Sequence, residues 1–172
     1  MKHPIVNIAD IELLPRPAAF QAPGEAAGRF DARMGRIGER IGARQLGYNI
    51  TCVPPGKRAF PFHNHHSNEE MFFVLEGSGQ VRIGEATHPI LAGDFIACPT
   101  GGPETAHQIV NTGDTDLKYL AVSTGISPEV CGYPDSGKFA VSIYNTKDDD
   151  KGLWLFRHVG KPGDSRDYWE GE

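Results

Sequence analysis

From residue 43 to about residue 124 the chain alternates short apolar runs with turn signals, and none of the runs is long enough for a helix. Gln45 to Val53 ends at Pro54-Pro55-Gly56, and Phe60 to His65 ends at Ser67-Asn68. Glu70 to Leu75 is broken at Glu76-Gly77-Ser78-Gly79, and Gln80 to Ile83 at Gly84-Glu85. His88 to Leu91 and Phe95 to Cys98 flank Ala92-Gly93-Asp94, and His107 to Asn111 and Leu117 to Val122 flank Thr112-Gly113-Asp114. Eight short strands joined mostly by tight turns predict an all-β domain with antiparallel pairing, closed into a barrel that removes exposed edges.

The flanks read differently. Residues 1–42 carry Pro15-Arg16-Pro17, Pro23-Gly24 and Gly35, Gly38 and Gly42, which predicts an irregular extension packing on the barrel, with one early strand near Phe30 to Ile37. Arg33, Arg36, Arg40 and Arg44 have helical spacing, but the interleaved glycines favour a solvated surface. Residues 125–172 form a C-terminal extension of the same domain, with an apolar stretch Phe139 to Tyr144 and an acidic run Asp148-Asp149-Asp150 read as a solvated loop. Trp154-Leu155-Phe156 and Trp169 are too large to leave in water, so this tail is expected to pack on the barrel or on a second subunit.

Composition narrows the class. With 21 Gly and 13 Pro in 172 residues, the chain suits one turn-rich domain better than a helical bundle. A net charge of -5 argues against a nucleic-acid footprint or an anionic-membrane anchor and leaves a small-molecule ligand open. No apolar run approaches a membrane span and Met1-Lys2-His3-Pro4 does not begin a signal peptide, so a cytoplasmic protein is expected. Cys52, Cys98 and Cys131 have neither disulfide nor zinc-knuckle spacing; Cys52 and Cys98 read as buried small hydrophobes.

The chemistry concentrates in three imidazoles and a carboxylate. Alternation puts His63 and His65 on one strand face and Asn64 on the other, with His63 and His66 as the second-choice pair. Glu70 shares its phase with Phe72 and Val74, assigned to the interior, which leaves Glu69 in solvent. With His107 these residues make a donor set of three nitrogens and one oxygen, suited to one divalent transition-metal ion, Zn, Mn, Fe or Ni. Gln108 and Asn111 are candidates to brace the ligands, Asn111 alternatively holding the following turn. His3 and His158 read as surface residues and His88 as structural.

Gly56, His63-x-His65-x4-Glu70-x6-Gly77 resembles the first conserved motif of the cupin superfamily, with six rather than five residues between the glycine and the first histidine. Gly93-x5-Pro99-x-Gly101, followed by His107-x3-Asn111, resembles the second, with five residues rather than two before the histidine. The resemblance implies a double-stranded β-helix (jelly-roll barrel) in which His63, His65, Glu70 and His107 are the metal ligands, in a chain that forms a homodimer. The lengthened loop from Pro99 to Ala106, together with Tyr133-Pro134-Asp135-Ser136-Gly137-Lys138, is similar to single-domain bacterial cupins labelled sugar-phosphate isomerases.

An isomerase of a sugar or sugar phosphate would need a proton-moving base, for which Glu104 and His66 are candidates. It would also need phosphate partners, for which Arg44, Lys57, Arg58 and Lys138 are candidates. The same ligands would serve an Fe(II)-dependent dioxygenase, and a non-catalytic barrel that binds a small ligand needs no base.

Overall fold

Every strand expected in the centre of the chain forms, and the pairing is antiparallel throughout the sheets. The computed structural model describes residues 3–145 and 154–172; the acidic run Asp148-Asp149-Asp150 lies outside the described residues. The strands are β1 (Leu14–Pro15), β2 (Arg33–Arg36), β3 (Leu46–Val53), β4 (Asn64–His65), β5 (Glu70–Glu76), β6 (Ser78–Ile83) and β7 (Ala86–Leu91). They continue as β8 (Phe95–Cys98), β9 (His107–Val110), β10 (Leu117–Thr124), β11 (Glu129–Tyr133), β12 (Lys138–Tyr144) and β13 (Trp154–Gly160), with one short helix, α1 (Gly38–Ile41).

One sheet runs β1-β2-β3-β10-β5-β8, a second β13-β12-β11-β4 and a third β7-β6-β9. An antiparallel bridge between His63 and His107 joins the last two: the His107 amide donates to His63 O at 2.8 Å and the His63 amide to His107 O at 3.2 Å. The result is an all-β jelly roll whose two walls meet over an apolar core. Period-2 alternation fills that core, with Phe72 and Val74 from β5, Leu117, Tyr119 and Ala121 from β10, and Val81, Ile96 and Ile109 from the neighbouring strands. Each large apolar side chain buried this way contributes about 1.5–3 kcal/mol. Cys52 and Cys98 are buried in strands, as expected of small hydrophobes.

Departures cluster at the edges. Of the run Phe60 to His65, Asn64–His65 is strand; Pro61 lacks an amide hydrogen for a ladder. The four spaced arginines are all exposed, as expected of a solvated surface: Arg33 and Arg36 lie on β2, Arg40 on α1 and Arg44 in the following loop. A Cβ at Gly35 would collide with the Ile11 side chain, so the glycine lets the N-terminal segment pack closely on β2. His88, expected to be structural, is exposed on β7, where Ile90 is the buried residue. Trp154 meets Phe20 edge-on at 5.3 Å, but Tyr168 and Trp169 remain 83% and 73% exposed on this chain. Among the described residues no helix is long and apolar enough to cross a membrane.

Both extensions hydrogen-bond to the central strands. β2 pairs with β3 and so widens the first sheet, while β11 pairs with β4, placing Cys131 opposite His65 and Gly132 opposite Asn64.

Candidate metal centre

β4, β5 and β9 bring His63, His65, Glu70 and His107 together at the meeting of the two walls, with one ligand atom of each lying within 4.8 Å of the others. Glu70 Oε2 is 3.0 Å from His107 Nε2 and 3.4 Å from His65 Nε2. The His63 ring lies 4.9 Å from that of His65 and 4.7 Å from that of His107, centroid to centroid. Each Nδ1 is turned outward onto a polar partner: His63 onto Pro61 O at 2.8 Å, His107 onto Thr105 O at 3.4 Å, and His65 onto the Cys131 thiol at 3.4 Å. A carbonyl oxygen only accepts, so His63 and His107 carry a proton on Nδ1.

The electrostatics favour a cation. Burial pushes the His63 imidazole down to about 4, helped by the neighbouring His107 and His65, and so keeps it neutral. Burial works to raise the Glu70 carboxyl, but the hydrogen bond from His107 and the imidazole of His65 close by hold it well below the usual carboxylate range. Burial likewise opposes a charge on His65, yet its contacts with Cys131, Glu129 and Glu70 push it up to about 12. An anionic Glu70 and a neutral His63 are the forms a metal needs, and His65 has one proton to surrender. Among the described residues, His65 Nε2 is buried without a hydrogen-bond partner. An orphaned imidazole nitrogen beside a carboxylate and two more imidazoles fits a first-row divalent ion.

Surrounding polar groups hold the frame. Asn64, buried beneath the site, donates through Nδ2 to Gly101 O at 2.7 Å, and the Gly101 amide donates to His65 O at 2.9 Å, so the lengthened loop is clamped to β4. Gln108 Nε2 braces Phe60 O at 2.7 Å just before His63. Asn111 holds the turn after β9: its Nδ2 donates to Val53 O and Thr115 O, and its Oδ1 accepts from the Gly113 amide.

The remaining sequence candidates lie apart from the ligand atoms. Glu104 is exposed and its Oε1 accepts from the Gly102 amide at 2.8 Å, while His66 is exposed with Nε2 3.3 Å from Asn64 Nδ2. Arg44 is exposed, Lys57 Nζ donates to Gly28 O at 2.6 Å, and the Arg58 guanidinium lies 5.8 Å from the Phe30 ring. Lys138 Nζ lies 6.0 Å from the Tyr133 ring, which itself stacks on His63 at 6.3 Å. Sequence reasoning missed Tyr133, Cys131 and Glu129, all from β11, and Arg16, which lies over Phe60 at 4.3 Å. For Cys131 and Tyr133 the available signal is their period-2 spacing.

Residues 49–123 match the family described as Cupin domain. Over 70 residues the chain is 40% identical to the oxalate-binding protein of Thermotoga maritima, covering 41% of this chain and 54% of that protein. The chain spans about half the length of the curated relatives it matches. A crystal structure from Acidithiobacillus ferrooxidans, provisionally named sugar phosphate isomerase, is 26% identical with a TM-score of 0.73, covering 92% of this chain and 90% of that one. A second, from Silicibacter pomeroyi and named a sugar phosphate isomerase from a cupin superfamily, shares the fold with a TM-score of 0.75 at 24% identity, covering 97% and 98%. Two motifs, a jelly roll and these matches agree: residues 49–123 match the Cupin domain family, and the chain has the cupin jelly-roll fold.

Proposed function

We propose that the protein binds one divalent transition-metal ion through His63, His65, Glu70 and His107 and acts on a small polar metabolite of the sugar-phosphate kind as an isomerase. The observation that carries the reading is the buried Nε2 of His65, which makes no hydrogen bond, within a cluster of two further imidazoles and an anionic carboxylate. Its extension to an isomerase is supported by likeness, over nine-tenths of both chains, to the Acidithiobacillus ferrooxidans protein.

When bound, such an ion polarises adjacent carbonyl and hydroxyl oxygens. The chain's own residues set the surroundings. Phe72, with its ring 5.6 Å from that of His107, closes the inner side against water. Tyr133 stacks on His63, and the Lys138 ammonium lies 6.0 Å from the centre of the Tyr133 ring, from where it would meet an anionic substrate group. Glu104 and His66 contact Gly102 and Asn64, so either would have to leave those partners before moving a substrate proton.

Metal content by inductively coupled plasma mass spectrometry, for wild type and the His65→Ala, His107→Ala double variant, tests the centre; equal content refutes it. Aldose–ketose interconversion of a sugar-phosphate panel by the metal-loaded protein, followed by proton NMR, tests the reaction. A second reading, non-catalytic capture of a small dicarboxylate, is supported by the 40% identity to the oxalate-binding relative. Calorimetric binding of oxalate with no turnover of the panel would select it, and substrate-dependent oxygen uptake would select a dioxygenase. The reading includes a homodimer, supported by the exposed Tyr168 and Trp169, and a monomer in sedimentation at micromolar concentration would count against that.

A further inference from the structure

We propose that Glu129, carried by the strand that follows the barrel core, is the positioning residue for His65: it holds the Nδ1 proton, so that Nε2 is the nitrogen turned to the ligand cluster and the one that gives up its proton when a metal binds. The inference rests on the metal-binding reading above, but its first readout needs no metal.

The Glu129 side chain is fully buried, and a carboxylate there must be surrounded by donors. Its Oε1 accepts from the His66 and Ser67 amides, each at 3.2 Å, and its Oε2 accepts from Asn68 Nδ2. The fourth group facing it is His65 Nδ1, 3.7 Å from Oε2. Three donors on its two oxygens favour the ionised carboxylate. At 3.7 Å the contact with His65 is an ion pair rather than a hydrogen bond, and a carboxylate, which only accepts, attracts the protonated side of the ring. Cys131 Sγ, 3.4 Å from the same nitrogen, is a weaker partner that can accept or donate and so does not by itself choose which imidazole nitrogen bears the proton.

Asn68 cannot compensate for a change at Glu129. Its Oδ1 accepts from the Ile126 amide at 2.6 Å and from Thr124 Oγ1 at 3.0 Å, while its Nδ2 also donates to Ile126 O at 3.0 Å. Its amide is thereby fixed with the donor side toward Glu129. In Glu129→Gln one end of the new amide stays an acceptor for the His66 and Ser67 amides. The other end turns an N–H toward Asn68 and His65, where acceptors are wanted. The histidine relieves the conflict by giving up its Nδ1 proton and accepting there.

The experiment uses full-length protein labelled with 15N at histidine. Long-range proton–nitrogen NMR of the metal-free form reads Nδ1 of His65, and chelator competition with Zn(II) reads affinity. Wild type is expected to show Nδ1 protonated. Glu129→Gln is expected to show it as an acceptor and to bind Zn(II) about 10–100-fold more weakly. Cys131→Ala is expected to keep the Nδ1 proton. A purely structural role for Glu129 would lower melting temperature and affinity but leave Nδ1 protonated, and that result overturns the proposal. So does an unprotonated Nδ1 in wild type, which decides the matter even if Glu129→Gln does not fold. Loss of the proton in Cys131→Ala with retention in Glu129→Gln assigns the role to the thiol instead. A protonated Nδ1 in wild type that is lost in Glu129→Gln, in a protein that holds no metal, sinks the metal reading while the positioning role stands.

Discussion

Replacing Asn111 with alanine separates the turn-holding role from a role in bracing the metal ligands. The side chain is fully buried and makes hydrogen bonds of 2.8 Å to Val53 O, 2.7 Å to Thr115 O and 2.9 Å from the Gly113 amide. Taking about 1 kcal/mol net for each bond, the loss is about 3 kcal/mol, since the buried backbone partners keep no substitute. With a urea slope of about 2 kcal/mol per molar, the unfolding midpoint should fall by about 1.5 M. The assay is equilibrium urea unfolding of metal-free protein, with Zn(II) affinity measured by chelator competition on the same samples. Affinity should stay within about threefold, because Val53, Thr115 and Gly113 are not ligands and effects at independent sites stay separate. A midpoint shift below about 0.5 M, or a tenfold loss of affinity at unchanged stability, would refute the assignment.

Four further outcomes are expected. Because His65 holds its second proton up to about 12 in the metal-free protein, metal binding at pH 7 should release about one proton, measured by calorimetry in buffers of different ionisation heat; zero release contradicts the charge assignment. The same raised value means that the stability His65 contributes is full below its ordinary 6.5 and is lost as pH rises, whereas His63, lowered to about 4, withdraws stability as pH falls from 6.5. Melting temperature of the chelator-treated protein should therefore peak near 6.5, and a flat profile would contradict both shifts. Gly132→Ala would drive a methyl into Asn64 Oδ1 and strain the clamp on Gly101, costing about 1–3 kcal/mol in thermal unfolding; a neutral result would mean that the loop is held elsewhere. Removing residues 166–172 should change the stability of the single chain by less than about 0.5 kcal/mol, since Tyr168 and Trp169 are largely exposed, and a loss above about 1 kcal/mol would show that the tail packs after all.

The central strands and the ligand cluster were legible because each rests on local periodicity. Glu70, Phe72 and Val74 share a phase, and Glu69 lies exposed beside them; His65 faces the cluster while His66 is exposed. Alternation fails where a strand has little to bury: β7 shows solvent every side chain but Ile90, which is why His88 was misjudged. The four arginines lie on the surface as expected, but their spacing cannot register Ile11 packing against Gly35 from another part of the chain. Glu129 was illegible for the same reason. Its partners lie some sixty residues earlier, and nothing in Ser127-Pro128-Glu129 marks a carboxylate destined for full burial. Lys57 and Glu104 had the right chemistry on paper, but backbone groups of their own surroundings claim them.

The pairing of two-residue β4 with β11 bears on how such a barrel can be reused in evolution. The stretch that matches the Cupin domain family ends at residue 123, yet the strand bearing His65 takes its sheet partner from beyond that point. A gene fusion or duplication that copied the matching stretch alone would carry all four clustered side chains and leave behind the β-ladder that holds one of them. The unit that would have to be copied for the cluster to keep its frame is therefore longer than the sequence signature.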